Sequence, residues 1–282
     1  MQFKTKLNIV LQYLVPQHGL SRLAGWIANN RWYWLKTKLI NDFIRRYQVD
    51  LSIAKLKEAE KYPNFNSFFT RQLDPFYRPI AEGPEQIASP VDGSVSQAGK
   101  IHQHSLFQAK GRLFNLNELL GGRTELAKHF HDGEFATLYL APKDYHRVHM
   151  PLKGSLTETI YIPGKLFSVN QNTTKTVPRL FSRNERLVCM FDTETGPMAV
   201  ILVGAMLVSG IETVWSSNFY SRNLLQTTFE KDINLEKGAE LGHFRMGSTV
   251  ILLFPKNSTK WIEELKEEAA VKMGSLIGHI KK

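Results

Sequence analysis

The apolar residues of the first 48 positions recur at helical spacing. Leu7, Val10, Leu11 and Leu14 fall at i, i+3, i+4 and i+7, which predicts an amphipathic helix that stops before Pro16, whose ring cannot continue it. Leu23, Trp26 and Ile27 predict a second helix with Ser21 as its cap. Leu35, Leu39 and Phe43, with Ile40 and Ile44, predict a third. From about residue 85 the texture changes. Glycines and prolines punctuate short β-branched runs at 93–95, 154–160, 198–208 and 248–254, the pattern of many short strands. A final segment, 261–270, puts Trp261, Leu265 and Ala269 on one helical face. The predicted class is α+β: N-terminal amphipathic helices, then a mainly antiparallel β sandwich or barrel-like core, closed by a C-terminal helix.

Charge sharpens the picture of the N-terminal helices. The 282-residue chain carries a net charge of +10, and residues 1–48 hold eight Lys or Arg against the single acid Asp42. Trp26, Trp32, Tyr33 and Trp34 stand in the same stretch. Basic amphipathic helices bearing tryptophan suit an interface with anionic lipid; a bundle packed on its own domain is the competing reading. No nucleic-acid-binding motif is present, so nucleic acid is not an expected partner. The longest apolar run, 197–208, falls short of the ~20 residues a helix needs to span a bilayer. Asn8 and Gln12 interrupt the first apolar stretch and no small-residue cleavage site follows, so a secretory signal is not expected. The lone Cys189 sits in an apolar run; it reads as a core residue, excludes an internal disulfide framework and suits a reducing compartment.

Three clusters could carry chemistry. Ser89-Pro90-Val91-Asp92-Gly93 is a tight turn that presents Asp92 at the mouth of a strand. The pattern P-x-x-G-x-V also occurs in lipoyl- and biotinyl-carrier folds, but their modified lysine is absent. Asp144-Tyr145-His146-Arg147-Val148-His149, bracketed by Pro142 and Pro151, sets two histidines at i and i+3 close after an acid, a proton-transfer cluster. No third or fourth ligand has convincing spacing, so no metal is expected. Gly247-Ser248-Thr249 enters the apolar run Val250 to Phe254; a serine hydroxyl held against a glycine carbonyl can attack it once a base removes its proton. Taken singly, each cluster is equally a turn or a pair of surface histidines.

Together, in this order, they resemble the phosphatidylserine decarboxylase family. Gly247-Ser248-Thr249 is similar to that family's Leu-Gly-Ser-Thr cleavage motif, with Met246 in the place of leucine. Asp92 and His149 fall in its two other signature segments. Further likeness runs through Phe68-Phe69-Thr70-Arg71, Arg78-Pro79-Ile80, 163–170, Asn184-Glu185-Arg186 and Val203-Gly204-Ala205, so that it covers roughly residues 50–255. Ser209-Gly210 stands where Gly-Ser is expected.

The resemblance implies a proenzyme that cuts itself. Asp92, His149 and Ser248 would form a triad: His149 takes the Ser248 proton, Asp92 orients the imidazole, and the chain parts between Gly247 and Ser248 into a large chain, 1–247, and a small chain, 248–282. Ser248 would become a covalent pyruvoyl group, which forms a Schiff base with phosphatidylserine and takes up the electrons released as carbon dioxide leaves, giving phosphatidylethanolamine. His146 is the expected proton donor, with Asp144 supporting either histidine. Residues 1–48 would be the membrane-associating segment and 49–282 the catalytic domain. The enzyme would sit peripherally on the cytoplasmic face of the cell membrane, with a homodimer of processed units as a further partner. Competing readings are an Asp-His-Ser serine hydrolase, which lacks the nucleophile-elbow G-x-S-x-G, a pyruvoyl decarboxylase for a soluble amino acid, and a non-enzymatic membrane-binding module.

Overall fold

A computed structural model describes residues 12–13, 15–109, 112–205, 210–216, 226–229, 232–245 and 248–281. The predicted first helix, 7–14, lies outside these apart from Gln12 and Tyr13, which are helical. Met246, Gly247 and Ser209 also lie outside them.

Helix α1 (Gln17–Ala28) begins directly after Pro16, whose fixed φ suits the entry to a helix. Ser21 therefore lies mid-helix and buried rather than at the cap. The helix buries Gln17, Ser21, Gly25 and Ala28 and leaves Leu20, Leu23 and Trp26 exposed, the reverse of a helix packed by its apolar face. Gln17 earns its buried place by hydrogen bonding: its amide donates to the Gln12 carbonyl at 2.6 Å and accepts from the Leu166 N–H at 2.7 Å. Helix α2 (Tyr33–Tyr47) buries Ile40 and turns Phe43 onto Phe65, Phe68 and Phe69. The last three belong to helix α3 (Phe65–Phe69), capped by Asn64. Lys36 of α2 is buried, and its ammonium donates to the carbonyls of Glu60 and Tyr62. Residues between 28 and 49 thus share one small core with residues 59–69.

The β region is built from β1 (Gly93–Lys100), β2 (Glu134–Leu140), β3 (Arg147–His149), β4 (Gly154–Ile162), β5 (Arg186–Thr193), β6 (Gly196–Gly204), β7 (Ile211–Thr213), β8 (Gln226–Phe229), β9 (Glu240–Phe244) and β10 (Ser248–Phe254). The main antiparallel sheet runs β8-β4-β5-β6-β10-β2-β1, extended by Ala270–Val271 beside β1 and Asn234–Leu235 beside β4. It is open, with no closed barrel. Both faces are covered, which is why β10 is apolar from Val250 to Phe254 instead of alternating. Val250, Leu252 and Phe254 enter one core with Val148, Met150, Ile211 and Phe244 from the small sheet β7-β9-β3, a sheet-on-sheet packing. Ile251 and Leu253 enter a second core, closed by short helices and the 105–115 hairpin. Cys189 is fully buried in the first core.

The predicted C-terminal helix does not form. Trp261 ends a strand, Thr259–Trp261, paired with Leu276–Ile280; residues 262–269 are turns; and Ala270 pairs with Ser94 of β1. Val95 and residues 268–269 exchange backbone hydrogen bonds, so tertiary pairing claims groups that a helix would need. The sequence also resists helix formation: Glu263/Glu267 and Glu264/Glu268 are like charges at i, i+4.

Candidate active site

Ser248 opens β10, the strand between β6 and β2, opposite Gly204 on one side and Leu140 on the other. The two-residue period puts its side chain on the same face as Val250 and Leu252. It is fully buried, and its Oγ has no hydrogen-bond partner among the described residues. Upstream of the Gly247–Ser248 bond, β9 pairs with β3. One continuous segment, 134–149, therefore holds both flanks of that bond: β2 pairs with β10, β3 pairs with β9, and the loop between them carries the two histidines.

The residues of this loop take different posts. Asp144 closes its first turn, its carboxylate accepting from the Ala141 N–H at 2.7 Å and its own N–H donating to the Ala141 carbonyl. Among the described residues no hydrogen bond joins Asp144 to either histidine, because the turn occupies it. Burial holds its carboxyl above the usual carboxylate range, partly offset by the Ala141 N–H. Arg71 clamps the same turn by donating to the carbonyls of Lys143 and Asp144. His146 is wholly buried and stacks on Phe69, with ring centroids 4.0 Å apart and planes 21° from parallel. Its carbonyl accepts from the Phe244 N–H, four residues before Ser248. Burial first, and the Arg71 charge second, push its imidazole down to about 3; the Ala141 and Pro142 carbonyls offset this slightly, although neither ring nitrogen is in bonding geometry. His146 is therefore neutral across the physiological range.

His149 has a fixed tautomer. Its Nδ1 lies 2.8 Å from the Gly238 carbonyl, which can only accept, so Nδ1 carries the proton. Nε2 then offers a lone pair, and the Tyr145 hydroxyl, 3.0 Å away, donates to it. Burial pushes the His149 imidazole below its ordinary value, opposed by the Gly238 carbonyl and the Glu240 charge. Burial also raises the Tyr145 phenol, so it keeps its proton. The lone pair of a neutral imidazole is what a general base requires.

Asp92 stands beside this group rather than bonded to it. The His149 N–H donates to the Pro90 carbonyl at 2.9 Å, which docks the Pro90-Val91-Asp92 turn against β3. Gly93 permits the neighbouring close approach, since a Cβ there would lie 2.2 Å from the Tyr139 carbonyl oxygen of β2. The Asp92 carboxylate is bonded elsewhere. Arg78 donates to both oxygens, Nε to Oδ1 at 2.8 Å and a terminal nitrogen to Oδ2 at 2.5 Å, and the Met273 N–H donates to Oδ1 at 2.8 Å. Among the described residues no hydrogen bond joins Asp92 to His149. Both oxygens are already engaged, and Asp92 acts on the imidazole through its charge alone.

Ser248 heads β10 and the two histidines lie on the segment that follows its partner β2, but among the described residues no hydrogen bond joins Ser248 to His146, His149 or Asp92. The structure gives roles to residues that sequence motifs marked without explaining. Phe69 stacks on His146, Arg71 clamps its loop, Thr70 accepts from the Arg147 Nε at 2.9 Å, and Arg78 fixes Asp92. Asn184, wholly buried, donates to the carbonyls of Phe167 and Gly204, and so braces the residue that faces Ser248. Tyr145, which sets the state of His149, stood out only by its place in the histidine motif, and Gly238, 89 residues further on, carried no signal.

Known proteins share this arrangement of sequence. The profile of the phosphatidylserine decarboxylase family matches residues 65–279, and a second profile, described as PSD, matches residues 7–48. A phosphatidylserine decarboxylase proenzyme of Ectopseudomonas mendocina is 52% identical over 282 residues, covering 98% of this chain and 99% of its own. One of Pseudomonas putida (strain GB-1) is 53% identical over 280 residues, 97% of this chain and 98% of its own. One of Alcanivorax borkumensis is 52% identical over 283 residues, 99% of this chain and 97% of its own. Matched along nearly its whole length, the chain belongs to the phosphatidylserine decarboxylase family and is an enzyme of that kind.

Proposed function

We propose that this enzyme decarboxylates phosphatidylserine to phosphatidylethanolamine after cutting its own chain between Gly247 and Ser248. The observation that carries this is the segment 134–149, which grips both flanks of that bond and bears a neutral, oriented histidine. His149 Nε2 takes the Ser248 hydroxyl proton, and Oγ attacks the Gly247 carbonyl carbon. The peptide C–N bond breaks, the nitrogen gains the proton, and Gly247 is left as an ester on Ser248. Loss of the Ser248 Cα proton then breaks the Cβ–O bond, releasing Gly247 as a carboxylate and leaving a dehydroalanine. Water converts that residue to a ketone and frees ammonia. A buried, unpartnered Oγ at the head of a rigid strand fits a side chain that is consumed in this way.

The resulting pyruvoyl group supplies an electron sink for the decarboxylation. The chain's own residues exclude water and move protons around it. Phe69 and the first core keep the face of β10 dry. His146 is neutral in the uncut chain, so it can take a proton from the substrate ammonium and deliver it to the substrate carbon once carbon dioxide has left. Asp144 holds the loop that carries it. Intact-mass measurement of the purified wild-type protein tests the cut: two chains are expected, the smaller spanning 248–282, or 35 residues, with a blocked N-terminus. A single uncut chain that still decarboxylates lipid would sink the proposal.

The N-terminal segment, 1–48, serves as the docking surface, and residues 49–282 as the catalytic domain. Trp26, Trp32 and Trp34 are 69%, 75% and 84% exposed, while polar Gln17 and Ser21 are buried beneath them. Together with the surplus of Lys and Arg, this fits helices lying on an anionic cytoplasmic membrane face. Among the described residues no helix is long and apolar enough to cross a membrane. Trp26→Ser/Trp34→Ser is expected to weaken co-sedimentation with phosphatidylglycerol-containing vesicles about tenfold. Unchanged binding counts against this surface.

A further inference from the structure

A cleft of about 420 Å³ opens between the N-terminal segment and the body. Tyr13, His18, Arg22, Lys165, Phe167 and Arg183 are among its walls. The charge there is one-sided. Arg22 and Lys165 are exposed, and their side chains make no hydrogen bond or ion pair among the described residues. The Arg183 guanidinium lies 4.8 Å from the Phe167 ring centroid and 5.5 Å from that of Tyr13, and it donates to the Tyr13 hydroxyl and the Pro178 carbonyl, with no carboxylate on it. Glu185 is buried, and burial holds its carboxyl above the usual range, opposed by the His18 charge. A stacked, half-buried arginine with two free cations beside it is a preorganised anion site: the planar fork matches a phosphate oxygen pair, and little freedom is lost on binding.

Two features point to a lipid as the source of the anion. The helix that supplies His18 and Arg22 also displays Leu20, Leu23 and Trp26 to solvent, so the cleft opens beside the surface proposed to meet the membrane. The cleft also reaches toward the reacting residue. Both the N–H and the carbonyl of Phe167 are bonded to the Asn184 side chain, at 3.1 and 2.8 Å, and that side chain donates to Gly204 at 2.9 Å, the residue paired with Ser248. One buried side chain separates the cleft wall from the strand partner of Ser248. We infer that this cleft binds the phosphodiester of an anionic phospholipid, with Arg22, Lys165 and Arg183 as its contacts, and orients the substrate headgroup toward Ser248. The inference rests on the decarboxylase reading above.

The test uses the full chain and the double variant Arg22→Gln/Lys165→Gln. Both side chains are exposed, so the fold is expected to survive, and self-cleavage by intact mass should match wild type. With phosphatidylserine in detergent micelles, KM is expected to rise about tenfold or more while kcat stays within about twofold. Calorimetry with two soluble probes, glycerophosphoglycerol and inorganic phosphate, distinguishes the sources. Wild type is expected to bind the phosphodiester more tightly than inorganic phosphate, and the double variant to lose that binding. An unchanged KM overturns the site, and equal or tighter binding of inorganic phosphate overturns the lipid assignment. A wild type that binds the phosphodiester, loses it in the double variant and decarboxylates nothing would refute the proposed reaction and leave the cleft standing.

Discussion

Ser248→Ala is expected to purify as one chain of 282 residues, with decarboxylation reduced about 10⁴-fold or more. The argument rests on what the substitution leaves alone. Ser248 is fully buried between Gly204 and Leu140, and its Oγ has no hydrogen-bond partner among the described residues, so removing that atom breaks no bond that holds the fold. Its melting temperature should stay within a few degrees of that of the other variant expected to remain uncut, His149→Gln. The loss would then be chemical, since the nucleophile and the precursor of the ketone are one atom group. His149→Gln is expected to remain uncut as well, because it removes the lone pair that Gly238 and Tyr145 orient. Burial favours the neutral imidazole, so its proton-accepting form dominates above the ordinary histidine value near 6.5. The self-cleavage rate should be level from about pH 6.5 upward and fall in acid as His149 takes a proton. A Ser248→Ala protein recovered as two chains, or a rate that rises toward low pH, would refute this account.

The strands and the third predicted helix were legible because their burial is local. The run 248–254 is apolar from Val250 onward, and the structure forms a strand over all seven residues, buried on both faces. Helix α2 carries its apolar residues at helical spacing and forms as Tyr33–Tyr47. What failed depended on distant partners. Trp261, Leu265 and Ala269 have helical spacing, but Leu276–Ile280 and Ser94 claim the backbone on either side of the segment. Ser21 has cap chemistry, but Pro16 begins the helix one turn earlier. At the site, the family resemblance named Asp92, His149 and Ser248, with His146 as the expected proton donor, and the fold sets Ser248 opposite Leu140 at the head of the histidine loop. Which groups hold them was hidden. Arg78 lies fourteen positions before Asp92 and Gly238 lies 89 after His149, and no local pattern pairs them. The bonds of Asp92 to Arg78 and Met273, instead of to the imidazole, follow from that long-range packing.

Those bonds yield the second large effect: Arg78→Met is expected to destabilise the enzyme by about 3–5 kcal/mol. The Arg78 and Asp92 side chains are only 8% and 11% exposed, and the guanidinium engages both carboxylate oxygens. Replacing it with an apolar side chain of similar length leaves a buried carboxylate with the Met273 N–H as its remaining donor. Arg78→Lys should fall between the two, since an ammonium cannot make the two-pronged contact. Removing both charges in Arg78→Met/Asp92→Leu should recover most of the stability, although not the reaction, because no uncompensated charge remains. The two-pronged contact itself is read by urea unfolding at pH 7, where Arg78→Met should unfold at a lower midpoint than wild type. Met273 belongs to the segment 248–282, so once the chain is cut this carboxylate bridges the two pieces. Arg78→Met should then release the 35-residue chain at lower urea than wild type does. Equal unfolding midpoints for wild type and Arg78→Met at pH 7, with the small chain retained equally, would show that the pair is not what secures Asp92.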